Sequence, residues 1–278
     1  MAKPKENKKV NEAAPAGTLP ATQAPGGAMM TQDFAADAGA GFEETDGSCF
    51  AIPRLKILQS MSKAKLKASA EYVKGAEEGM FHNTVDNGLF DGEKGFYAVM
   101  CHYRKKFIEF EGTLDEGGGY VREYDLAAGT ALLADCVRDA KGNDRIPGGN
   151  HILVDVREHY LMMLHPETGE PLPVILSMGS SAIAVSKKWM TMAGALKRVK
   201  GQPAPDAMYT HFWKITAVPA EKNGFNYFAP KVEYVCGLEN AAPYSPDPDF
   251  VYKSAKAFAE MVKSGRAKAS EPVEGEPF

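Results

Sequence analysis

Between residues 102 and 110 the chain reads His102-Tyr103-Arg104-Lys105-Lys106-Phe107-Ile108-Glu109-Phe110, three consecutive cations bracketed by aromatic side chains. Cations meet phosphate and aromatic faces accept unpaired bases, so this pairing of residue types is the chemistry of a single-stranded nucleic-acid surface. Three adjacent like charges also repel one another, and an anionic partner relieves that repulsion. The theme recurs at Lys187-Lys188-Trp189, Lys197-Arg198-Val199-Lys200, His211-Phe212-Trp213-Lys214 and Tyr227-Phe228-Ala229-Pro230-Lys231. The phosphate candidates are therefore Arg104, Lys105, Lys106, Lys187, Lys188, Lys197, Arg198 and Lys200, and the stacking candidates are Tyr103, Phe107, Trp213 and Tyr227. Trp189 is read differently, because it falls on an apolar helix stripe and belongs to a core. Lys187 and Arg198 lie nearly opposite it and face solvent.

Catalytic motifs have no counterpart here. The chain lacks GxxxxGK[ST], GxGxxG after a strand, HExxH and GxSxG, and Gly117-Gly118-Gly119 runs into Tyr-Val-Arg rather than a helix start. His159 and His165 share one hairpin with Glu158 and Glu167, but no nucleophile stands beside them. They read as surface or hydrogen-bonded core groups, not general bases. Cys49, Cys101, Cys136 and Cys236 are far apart and form no CxxC pair. They are expected as free thiols in a reducing compartment, without zinc-ligand spacing. The residues thus point to a protein that is not an enzyme and carries no cofactor or metal.

The elements that must position these residues begin near Phe50. Residues 1–48 are dominated by Ala, Gly and Pro and cannot bury enough apolar surface to offset ordering entropy, which predicts a disordered arm. Residues 50–59 suit a half-buried extended segment with Ile52, Leu55, Ile57 and Leu58 inward and Arg54 and Lys56 outward. Strands are expected at 96–103, 106–111, 152–164 and 173–178; residues 120–150 read ambiguously, with a helix over 123–138 as one option. A helix from Ser181 to about Lys200, capped by Ser180 or Ser181, carries the stripe Ala182, Val185, Trp189, Met192, Leu196 and Val199. A hairpin of 209–218 with 225–235 follows, then a helix capped by Asp247 and closed by Gly265. The fold class this order predicts is β-rich α+β: an OB-like five-stranded Greek-key barrel with inserted loops, a helix between strands 3 and 4 and a C-terminal helix. The binding domain spans 49–270.

Charge at first argues against a nucleic-acid partner. The 278 residues hold 32 Lys+Arg against 36 Asp+Glu, a formal net charge of -4. By segment, residues 1–48 carry 4 bases and 7 acids and residues 271–278 carry 3 acids, which leaves 28 bases and 26 acids between them. The body is mildly basic, and the acidity lies in the two ends. No apolar run is long enough for a membrane span, and Met1-Ala2-Lys3-Pro4-Lys5-Glu6 lacks the apolar segment of a secretory signal. A cytoplasmic setting is expected.

The last nine residues are Ser270-Glu271-Pro272-Val273-Glu274-Gly275-Glu276-Pro277-Phe278. An acidic, base-free segment finishing in Pro-Phe resembles the tail tip of single-stranded DNA-binding (SSB) proteins of bacteria and tailed phages. The segments 52–59, 75–85, 91–95 and 181–189 are similar to blocks of phage-encoded SSB proteins, with a departure at Ala182-Ile183-Ala184, where such segments carry a Thr or polar residue. The resemblance implies an OB-like protein that binds and protects single strands with little sequence preference in phage replication, recombination or repair, within a bacterial host. It also implies a tail in which Glu271, Glu274, Glu276 and Phe278 recruit replication or recombination proteins. Self-association is left open. Two other classes fit the same residues: a strand-annealing recombination protein, and a virion or scaffold protein with no DNA role.

Overall fold

In a computed structural model of the chain, residues 40, 41, 43–45, 49–113, 118–197, 202–222 and 224–267 are described. Packing separates Met1–Thr45 from Asp46–Phe278, and among the described residues every helix and strand lies in the second unit. Most of the expected arm, together with Arg198, Lys200, Glu271, Glu274, Glu276 and Phe278, lies outside the described residues.

In chain order the elements are β1 (Arg54–Ile57), β2 (Phe81–Asn83), β3 (Leu89–Phe90), β4 (Phe96–Phe110), β5 (Tyr120–Tyr124), α1 (Leu126–Asp135), β6 (Val137–Arg138), β7 (Asp144–Arg145), β8 (Ile152–Leu164), β9 (Pro171–Gly179), α2 (Ile183–Ala195), β10 (His211–Lys222), β11 (Phe225–Gly237) and α3 (Pro248–Lys263). The main sheet runs β11-β10-β4-β8-β9-β1-β2-β3, with β5 beside β4 and the short β6–β7 pair joined to β8. All neighbours are antiparallel except β1 and β9. The fold is β-rich α+β, a curled open sheet that makes a half-barrel, with three helices.

Around β4, β8 and β9 both faces of the sheet are covered, which explains the apolar runs at 96–101 and 160–164, while most of β11 stays exposed or half-buried. The inner face packs Phe81, Phe96, Met100, Leu161, Trp213 and others under α2, whose Trp189 is fully buried. Trp189 stacks on His159 with ring centroids 4.5 Å apart and meets Trp213 edge-on at 5.7 Å. The expected stripe Ala182, Val185, Trp189, Met192 and Leu196 does face this core. The helix itself is shorter than expected: it starts at Ile183 after a 3-10 turn over Ser180–Ala182, without a side-chain cap. On the outer face α3 buries Val251, Ala255, Phe258, Ala259 and Val262, one side of a 3.6-residue period. Its expected cap is present, with Asp247 Oδ1 accepting from the Phe250 N–H at 2.9 Å.

Strand β4 replaces the two strands expected at 96–103 and 106–111. It pairs with β8 from Ala98↔Met163 to Phe110↔Ile152, with a shift between Met100 and His102. The extra residue, Cys101, is a β-bulge, and it exchanges the faces of the side chains that follow. Before it Ala98 and Met100 face the inner core; after it Tyr103, Lys105, Phe107 and Glu109 share the face of His159, while His102, Arg104 and Lys106 share the face of Tyr160.

Arg54 corrects the expectation that it points outward. It is 3% exposed, with Nη1 2.9 Å from Glu158 Oε1 and donating to Ser177 Oγ at 2.8 Å. The alternation that assigned it to solvent fails because this part of β1 lies beside β9 in a covered sheet. At the other end of the half-barrel, Gln59 stands in for a strand. Its side-chain Nε2 donates to Phe228 O at 2.9 Å and its Oε1 accepts from Phe228 N at 2.8 Å, tying the segment after β1 to β11. Gly79, at φ 80°, lies against the same Phe228, where a Cβ would sit 2.7 Å from the ring.

Candidate nucleic-acid interface

The three consecutive cations on β4 do not form one positive patch. Alternation sends Arg104 and Lys106 to one face and Lys105 to the other. Lys106 is 4% exposed, its Nζ 2.9 Å from Glu158 Oε1 and 2.6 Å from Glu123 Oε1. It is therefore corrected from a phosphate candidate to half of a buried ion cluster that also contains Arg54. Burial by itself would raise the Glu158 carboxyl, but Lys106 and Arg54 outweigh it and hold the group below the usual range. The Tyr160 hydroxyl donates to Glu158 Oε2 at 3.0 Å, which completes the solvation of this buried carboxylate. Lys105 is half-buried, its Nζ 3.4 Å from Asp155 Oδ2 and 4.7 Å from the Phe107 ring centroid. The repulsion read in the sequence is thus relieved largely from within, by acids of β5 and β8.

Arg104 is exposed and lies over Tyr160, Cζ to ring centroid 5.6 Å. Lys187 and Lys188 are exposed on α2, and Lys197, just past its end, donates to the Gln202 carbonyl at 3.1 Å. Among the described residues no carboxylate pairs with these four. Tyr103 is half-buried, its ring 5.2 Å from His159 and its hydroxyl accepting from Arg157 Nη1 at 3.3 Å. Tyr227 is half-buried at the mouth of a cavity of about 300 Å³ lined also by Gln59, Ser60, Glu78, Glu221 and Phe228.

Two stacking candidates are corrected. Trp213 is fully buried in the inner core against Trp189 and Tyr234, and Phe107 is 1% exposed beneath Gly129 of α1. Neither presents a ring to a ligand. A Cβ at Gly129 would lie 2.2 Å from the Phe107 ring, so this glycine lets α1 rest directly on the strand. The structure brings together Tyr103, Lys105 and Arg157 on one face of the β4–β8 ribbon. Arg157 was missed in the sequence, where it stands among Asp155, Glu158 and His159 with no second cation beside it.

The histidines weighed as bases have structural partners. His159 is fully buried, and burial, reinforced by Arg157, pushes its imidazole down to about 3, so it stays neutral. Its Nε2 lies 2.9 Å from Ser186 Oγ. His165 Nδ1 accepts from the backbone N–H groups of Glu167 and Thr168 at 3.3 Å and shapes the β8–β9 turn. A further polar cluster, also missed, fixes β5 on β4: Glu109 accepts from the Tyr124 hydroxyl at 2.5 Å and Arg122 Nε at 2.9 Å, and lies 2.5 Å from His151 Nδ1. Among the described residues no group of three or more His, Cys, Asp or Glu is placed to hold a metal ion. No helix among them is long and apolar enough to cross a membrane.

The profile of the Pam3 phage gp34-like protein family matches residues 21–268. The chain belongs to that family. Its name is that of a bacteriophage protein, and the matched span takes in every described residue, including both faces of the β4–β8 ribbon and the two helices that cover them. No curated protein and no solved structure matches the chain.

Proposed function

We propose that this phage-family protein binds and protects single-stranded DNA in phage replication, recombination or repair, and recruits partner proteins through Glu271, Glu274, Glu276 and Phe278. The observation that carries the reading is the set Arg104, Lys187, Lys188 and Lys197, exposed cations with no carboxylate partner among the described residues. Cations left unneutralised by their own fold are available to phosphate, and each phosphate contact contributes to a salt-dependent affinity. Tyr103 and Tyr227, half-buried and each on a long strand, supply ring faces for bases. The strand order supports reading the five long strands as an OB-like Greek key: β4, β8 and β9 form a meander, α2 follows the third strand, and β10 returns beside β4 with β11 at its side. Titration of a labelled oligothymidylate at two salt concentrations tests the proposal. Binding that weakens with salt and exceeds binding to a duplex of equal length supports it; no binding, or binding indifferent to salt, overturns it.

A second reading, a strand-annealing protein that assembles copies, draws on α1. In Leu126–Asp135 only Gly129 is buried, and Leu126, like Val121 and Val137 of the flanking strands, is exposed. A helix so apolar on its open side fits burial in an assembly. Light scattering separates the readings: rings or filaments favour annealing, and a small discrete species favours the first.

A further inference from the structure

A histidine and an arginine of β4, His102 and Arg104, and Lys263 in the last turn of α3 lie on the outer face of the sheet. The bulge at Cys101 turns His102 and Arg104 to that face, and both surround Tyr160, with the His102 ring 5.8 Å and the Arg104 guanidinium 5.6 Å from its centroid. Tyr160 in turn packs against Phe258 of α3, at 6.3 Å. The last turn of α3 presents Lys263 next to Val262; Val262 and Ala267 are both buried in the cluster that holds Cys101 and Tyr160. Arg104 and Lys263 are exposed and His102 is half-buried. The nearest carboxylate in register, Glu158 opposite Arg104, is engaged by Arg54, Lys106 and the Tyr160 hydroxyl. On α3, Glu260 pairs with neither Arg104 nor Lys263. Burial first, then the charges of Arg104 and Lys263, hold the His102 imidazole below its ordinary 6.5, so in the free chain it is mostly neutral.

We propose that His102, Arg104 and Lys263 form a phosphate site in which two fixed cations hold the anion and the histidine takes up a proton as it binds. Arg104 offers a planar fork suited to phosphate oxygens, and Lys263 a point charge at the helix end. An anion between them cancels the repulsion that keeps His102 neutral, so occupancy and protonation favour each other. The source of the phosphate, the backbone of single-stranded DNA, rests on the function proposed above; the site itself does not. For a phosphodiester, whose own charge is fixed over this range, such binding strengthens as pH falls from 8 towards 6, while contacts made only by lysine and arginine are unchanged.

The full chain tests this by NMR of the six histidine rings, with His102 identified by the signal lost in His102→Gln. Replacing chloride by inorganic phosphate at constant ionic strength raises the titration midpoint of His102 by about one pH unit, and Lys263→Gln, at an exposed helix end, reduces that shift. An equal midpoint in the two salts overturns the site. Oligothymidylate provides the second arm. If it raises the midpoint as well, the site lies on the DNA path. If inorganic phosphate acts and the oligonucleotide does not bind, the site stands and the DNA reading fails. If inorganic phosphate moves His102 and the oligonucleotide binds without moving it, the site and the DNA reading both stand and DNA as the source of the phosphate is overturned.

Discussion

Arg104 and Lys106 lie two residues apart on the same face of one strand, yet the first is exposed and has no acidic partner among the described residues, and the second is buried between Glu158 and Glu123. Register alone does not make the difference. Glu158 stands opposite Arg104, yet its Oε1 is taken by Arg54 and Lys106, and Lys106 also meets Glu123 of β5, while Arg104 lies over the Tyr160 ring. The pair teaches that a run of cations measures neither surface charge nor affinity for anions. What decides is which carboxylates the sheet delivers to each position, and only the undelivered cations remain for a ligand.

The largest expected effect lies on the buried side. Glu158→Gln removes the carboxylate shared by buried Arg54 and Lys106, leaving Lys106 only Glu123, and should cost about 3–5 kcal/mol in urea unfolding. A cost below about 1 kcal/mol would break the comparison, because the ion cluster would then not be holding the ribbon. On the exposed side Tyr227→Ala should leave urea unfolding nearly unchanged while weakening oligothymidylate binding by about 1–3 kcal/mol, as read by fluorescence anisotropy. Equal affinity would remove Tyr227 from the surface.

Acid sharpens the contrast further. Burial opposes ionisation of Glu109, but hydrogen bonds from Tyr124, His151 and Arg122 outweigh it and hold the carboxyl at about 2 against an ordinary 4.5. A depressed folded value means stability that is full above 4.5 and lost as pH falls through about 2. Urea unfolding from pH 6 to 2.5 should therefore show an acid loss that Glu109→Gln flattens; an unchanged slope would deny the cluster its role. The smallest effect belongs to the tail. Deletion of residues 271–278 should leave oligonucleotide affinity equal or tighter, and a loss of affinity would mean the tail has been misassigned.

The strand β8 and the helix α3 were legible because each announces its own limits. Residues 152–164 lie between two turns, with apolar ends at 152–154 and 160–164 around a polar middle, and Asp247-Pro248 starts the helix as its chemistry requires. The sites were less legible because both faces of the sheet are covered around β4, β8 and β9 and because partners and face assignments are set far from each residue in sequence. Phe212 packs in the outer cluster and Trp213 in the inner one, so neighbouring aromatics that look like a core residue and a platform are both core. Arg54 looked solvent-facing since its partner Glu158 is remote in sequence, and the bulge at Cys101, which decides the face of every later β4 residue, has no local signature in an apolar strand. Strands β1 to β3, of two to four residues each, exist only through tertiary pairing.

The central claim is that the cations left unpaired by the fold are the ones that meet DNA. Its direct measurement is the dependence of oligothymidylate affinity on salt for the native chain and for the triple variant Arg104→Gln, Lys187→Gln, Lys188→Gln, all at exposed positions. Loss of three phosphate contacts should make the slope of log K against log salt shallower by about 2, with thermal stability retained. An unchanged slope in a folded variant would contradict the account.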